Sequence, residues 1–255
     1  MDIPISYTEQ EYAVSRKRYH KNTNNLVNYS VSINGTKSGH GRQYWSSILL
    51  SKMALSAMTI NRLIPDPKRR NGQLWDLASL ATLARGLCEN YIMMRWLCFP
   101  IDDEQIWKFR IALMTVVDNR SRFRMTVEQE VVPEPEDFKA AQAGIAKSLF
   151  EMPLFQSLPD KRKKELLKGD KLPFIQDDVI QSLPIDRESF RRYYRYLSAF
   201  VHTGTVSFFR VAEHGRGNGE KNPYEVAAIG GIMDFCSMIL EVSMLDVIKI
   251  QTRIY

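Results

Sequence analysis

Between residues 73 and 99 the apolar side chains Leu77, Leu80, Ala81, Ala84, Leu87, Cys88 and Tyr91 recur at spacings of three and four. Such spacing lays them along one face of a 3.6-residue helix, and no alternating polar and apolar run elsewhere competes with it as a strand. A helix of this kind must bury its stripe against other helices, so the pattern predicts an all-α fold, a multi-helix bundle with long antiparallel helices. With 255 residues, 44% of them hydrophobic, the chain is long enough for a substantial core. Its 13 glycines and 11 prolines are too few and scattered for a fibrous or low-complexity chain.

The punctuation divides the rest. Gln43 to Ile64 reads as a helix with Trp45, Leu49, Met53 and Ile60 inward, stopped by the prolines of PDPKRRNG. Pro100 ends the helix over 73–99, and Asp102 or Asp103 caps a third carrying Ile106, Phe109, Leu113, Val117 and Phe123 on one face. After a Pro-Glu-Pro turn come a helix near 136–151, another over PDKRKKELLKG, and short pieces across the proline-broken stretch 152–186. Asp186 then opens one long helix over RESFRRYYRYLSAFVHTGTVSFF, with Phe190, Tyr194, Leu197 and Val201 buried. A glycine-rich loop, RVAEHGRGNGEKN, leads to Asn222 and Pro223, which together start a last helix towards residue 252. Residues 1–42 are polar and read as a partly flexible N-terminal arm, with an early helix around 8–20. Residues 43–255 read as a single helical domain.

The formal net charge of +6 permits a polyanionic partner without demanding one. Cys88, Cys98 and Cys236 form no CxxC pair and are odd in number, which argues against a disulfide framework. Four scattered histidines give no metal-ligand spacing, so neither a metal nor a cofactor is expected. The start, MDIPISYTEQ, lacks the basic and apolar character of a secretory leader. The most apolar stretch, Val226 to Leu245, is interrupted by Asp234 and Glu241, so no membrane association and a cytoplasmic location are expected.

Two constellations could carry chemistry. Arg195 and His202 are seven residues apart, about 20° in azimuth and about 10 Å along a continuous helix, so both can line one groove. Histidine transfers protons near neutral pH, and arginine offers a fork of donors to phosphate oxygens. Together they could support metal-independent RNA cleavage. A histidine after Ala199, Phe200 and Val201 could equally be a core histidine bonded across the bundle. Arg191, Arg192, Tyr194, Tyr196 and Thr203 surround the pair, with Tyr193, as candidate contacts to bases and phosphates; the same alternation also suits core aromatics beside a solvated arginine face. Arg85 and Glu89, four apart, make either an intrahelical ion pair or a polar network reaching the helix of His202.

The stretches LARGLCENYIMMRWL at 83–97 and YRYLSAFVHTG at 194–204 together resemble a family of bacterial helical proteins of the DUF5677 type. The second stretch is also similar to the arginine–x4–6–histidine motif of the HEPN superfamily, which includes metal-independent ribonucleases of toxin and phage-defence systems acting as dimers of helical bundles. That resemblance implies Arg195 and His202 as the paired catalytic residues, although Tyr196 stands where HEPN nucleases often have a small polar residue. It further implies single-stranded RNA as substrate, a homodimer and a regulatory partner protein. Since many HEPN relatives are inactive, a non-catalytic helical module binding a protein or regulatory ligand is the alternative.

Overall fold

A computed structural model describes residues 7–68, 72–128, 135–213 and 219–253. Among the described residues the chain forms eleven helices and no strand, so the molecule is an all-α, multi-helix protein. They are α1 (Glu9–Ser32), α2 (Gly41–Leu63), α3 (Leu77–Cys98), α4 (Glu104–Glu128), α5 (Pro135–Phe150), α6 (Pro153–Gln156), α7 (Asp160–Lys168), α8 (Gln176–Gln181), α9 (Arg187–Val201), α10 (Thr205–Glu213) and α11 (Pro223–Gln251). The chain divides into two compact units, one of residues 1–94 with 180–255 and one of residues 95–179.

The first unit is built around α11. Asn222 caps it through the Glu225 amide at 2.9 Å, and Pro223 occupies its first turn. From Val226 to Met233 every residue is buried, so this helix is enclosed rather than one-sided. It is long and apolar enough to cross a membrane, yet 78% of its most apolar window lies inside the fold, as suits a core helix. Its two interrupting carboxylates have partners: Tyr7 donates to Asp234, and Arg18 and Asn22 hold Glu241. All seven of the stripe residues named in α3 are buried.

The expected polar arm over residues 1–42 is, across Glu9–Ser32, a core helix packed on α2 and α11. Tyr12, Ser15, Tyr19, Asn22 and Leu26 alternate at spacings of three and four and are buried. Each polar member needs a partner there. Tyr12 and Tyr19 donate to the carbonyls of Pro65 and Ala57, both at 3.1 Å, and Asn22 donates to Ser237 O and Glu241. In α2 the inward stripe is Leu50, Met53, Ala54, Ala57 and Ile60; Trp45 is exposed and Leu49 half-buried, against expectation.

In the second unit Asp103 caps α4 through the Ile106 amide at 2.8 Å. Leu113 and Val116 of α4 pack with Leu149, Phe155 and Leu166 to make its core, Val116 taking the place expected of Val117. Arg110 donates to the carbonyls of Trp96 and Phe99, and Trp96 stacks on Phe174 at 4.7 Å. The basic run at 160–169 is α7, closed by Gly169 in the left-handed conformation. Pro133 and Glu134 of the Pro-Glu-Pro turn, residues 69–71 of PDPKRRNG and residues 214–218 of the glycine-rich loop lie outside the described residues.

Candidate functional site

The single long helix expected after Asp186 is two helices. Asp186 caps α9 through the Ser189 amide at 2.8 Å, but the helix stops at Val201 and α10 begins at Thr205. Thr203 amide bonds to Phe200 O and Gly204 amide to Ala199 O, the paired closure that satisfies carbonyls at a helix C-terminus. The left-handed position in such a closure favours glycine, yet here it is Thr203, with φ 48°, and glycine follows one residue later. A β-branched residue in that region is strained, and strain of this kind collects at functional sites.

His202 is the C-cap of α9, with φ −101° and ψ 11°, and its side chain is exposed. Arg195 is exposed as well, while Phe190, Leu197 and Phe200 turn inward on the opposite side. At 100° per residue, Arg191, Arg195, Ser198 and His202 fall within a stripe about 60° wide. His202 is therefore not a core histidine, and it shares one outward face with Arg195.

Arg85 of α3 reaches the middle of that stripe. Its Nε donates to Ser198 Oγ at 2.8 Å, and Ser198 in turn donates to Tyr194 O at 2.6 Å. The guanidinium also lies 3.5 Å from the centre of the Tyr194 ring, a cation–π contact in a largely buried setting. Its Nη1 stands 2.5 Å from Glu89 Oε1, close enough for an ion pair but not aligned as a hydrogen bond. The pair is thus both intrahelical and part of a network crossing to α9. Ser198 is the member of this network that no sequence motif marks. Its position, three after Arg195 and four before His202, is the signal that places it on the same face.

The tyrosines divide differently from expectation. Tyr196 points towards α11, where its hydroxyl lies 3.1 Å from that of Tyr224 and its ring meets Phe200 edge-on. Burial, with Tyr224 beside it, raises its phenol pKa, so Tyr196 stays neutral and is not on the Arg195–His202 face. Tyr194 lies between Arg85 and Phe190, and Tyr193 stacks on Phe235 at 4.6 Å. Gly231 leaves the room for that stack, since a Cβ there would sit 2.9 Å from the Tyr193 hydroxyl. Arg192 is exposed, 5.8 Å from the Tyr193 ring, and Arg191 is half-buried beside Arg195 on the stripe. Of the residues expected to touch substrate, Arg191, Arg192 and Thr203 accompany Arg195 and His202 outward; Tyr194 and Tyr196 are packed.

The fold and this face define a helical protein with a basic, partly strained surface strip. Compared with family models, with curated proteins and with solved structures, the chain matches none of them significantly.

Proposed function

We propose that the chain is a HEPN-like, metal-independent endoribonuclease whose reacting groups are Arg195 and His202. The observation that carries this reading is the exposure of both side chains on one face of α9, beside the Arg85–Ser198 anchor that holds that helix to α3. A buried histidine could not meet a phosphate backbone; this one can. His202 takes the proton of a ribose 2′-hydroxyl, the 2′-oxygen bonds to the adjacent phosphorus, and the bond to the 5′-oxygen breaks. Arg195 stabilises charge on the phosphoryl oxygens. The products are a 2′,3′-cyclic phosphate and a 5′-hydroxyl whose oxygen needs a proton. A second copy of the chain, bringing its own His202 to the same face, supplies that donor. A toxin or phage-defence setting with a regulatory protein partner follows the same resemblance.

The test uses purified wild type, His202→Ala and Arg195→Ala with mixed RNA and a chelator. Both residues are exposed, so each variant should keep its unfolding free energy to within about 0.5 kcal/mol of wild type. Cleavage by wild type alone, leaving cyclic phosphates, supports the proposal; metal-dependent cleavage, or activity surviving in His202→Ala, overturns it.

A second reading, a non-catalytic docking module, is favoured by the apolar residues around the α9–α10 break. Val201, Val206, Phe208 and Phe209 are 40–60% exposed there. Intact RNA with all three proteins would support that reading.

A further inference from the structure

Within the second unit a cleft of about 450 Å³ opens where α4, α5 and the end of α7 meet. Such a volume falls in the range that takes one small molecule. Its walls are pinned. Asn119 of α4 donates to Gln142 Oε1 of α5 at 2.8 Å and to Phe138 O at 3.3 Å, and Gln142 donates onward to Leu167 O of α7 at 2.8 Å.

The close approach of α7 to α4 depends on Gly169. Its φ is +65°, and a Cβ there would lie 2.8 Å from Val116 O and 3.0 Å from Arg120 Cβ. This approach brings Lys168 and Asp170 to the cleft, which Arg120 of α4 and Lys139 of α5 also line. Asp170 is already neutralised, by Arg124 at 2.5 Å and Arg120 at 3.4 Å. Lys139 and Lys168 meet no carboxylate among the described residues, so the cleft has a marked cationic excess. Lys168 also offsets the partial negative charge of the α7 C-terminus.

The same cleft is lined by two half-buried rings. Phe123 and Phe138 meet edge-on, 5.6 Å apart at 71°. A simple inorganic anion would leave the rings unused, and a neutral aromatic compound would leave two ammonium groups unpaired. We propose that the cleft binds a nucleoside monophosphate, its base against Phe123 and Phe138 and its phosphate between Lys139 and Lys168. Base–aromatic contact and charge-assisted hydrogen bonds are the two interactions such a ligand needs. The proposal concerns residues 95–179 alone and stands independently of the nuclease reading.

Calorimetric titration of the full chain with AMP, GMP, CMP and UMP, with inorganic phosphate and with the matching nucleosides tests it. At least one monophosphate should bind with a dissociation constant below about 1 mM, phosphate and nucleoside each about tenfold or more weaker. The Lys139→Ala/Lys168→Ala double variant, changed only at exposed positions, should melt like wild type and lose about tenfold or more in affinity, whereas His202→Ala should bind unchanged. Failure of all four monophosphates, equal binding of inorganic phosphate or nucleoside, or undiminished affinity in the double variant overturns the proposal.

Discussion

Glu225 sits in the first turn of α11 almost wholly buried, and its Oε2 has no hydrogen-bond partner among the described residues. Burial, and after it the negative charge of Asp76, pushes its carboxyl up to about 7 from an ordinary 4.5. Between those two pH values the folded chain keeps a proton that the unfolded chain has released, so stability falls as pH rises across that window. Above it the full penalty is present, on the order of 3 kcal/mol. Glu225→Gln should therefore melt clearly above wild type at pH 8 and close to it at pH 4, as circular dichroism would show. Thr203 stores strain of a different kind. Replacing it by glycine should relieve the left-handed conformation and stabilise the fold by about 1 kcal/mol in urea unfolding, less the part lost to the greater freedom of glycine in the unfolded chain.

At the scale of elements, the contact of α9 with α11 turns on Gly231 and Tyr193. Gly231→Ala alone adds helix propensity but drives a methyl group against the Tyr193 hydroxyl at 2.9 Å. In a Tyr193→Phe background the nearest remaining ring atoms lie 3.6–3.7 Å away, an ordinary contact. The same change should then be stabilising by up to about 1 kcal/mol, and a double-mutant cycle in urea should show coupling of about 1 kcal/mol or more. The break between α9 and α10 was not legible beforehand, because the apolar period runs from Phe190 through Val201 to Phe209 without a proline. What ends α9 is the backbone at Thr203 and Gly204, and threonine gives no sign of adopting a left-handed conformation. The cap at Asp186 and the Asn222–Pro223 start were legible, since both act through local hydrogen bonds and a fixed φ.

Across the whole molecule, the helix at 9–32 decides how much of the chain belongs to the core. Tyr12, Tyr19 and Leu26 are fully buried. Deleting residues 1–33 should therefore remove several large side chains, each worth about 3 kcal/mol or more, and abolish a cooperative melt rather than trim an arm. A truncated protein with an unchanged melting curve would contradict this.

The helical class, the α3 stripe, the caps of α9 and α11 and the common azimuth of Arg195 and His202 are determined by sequence alone. Each depends on the 3.6-residue period or on groups within four residues of one another. Whether Asn22 and Tyr19 lie inside or outside was decided by tertiary structure, because the groups that accept their hydrogen bonds, Ser237 O and Glu241 for Asn22 and Ala57 O for Tyr19, are distant in the chain. The same holds for Arg85, whose second partner is 113 residues away. It holds too for the cleft at Gly169, where helices far apart in the chain meet at a distance that only a missing Cβ allows.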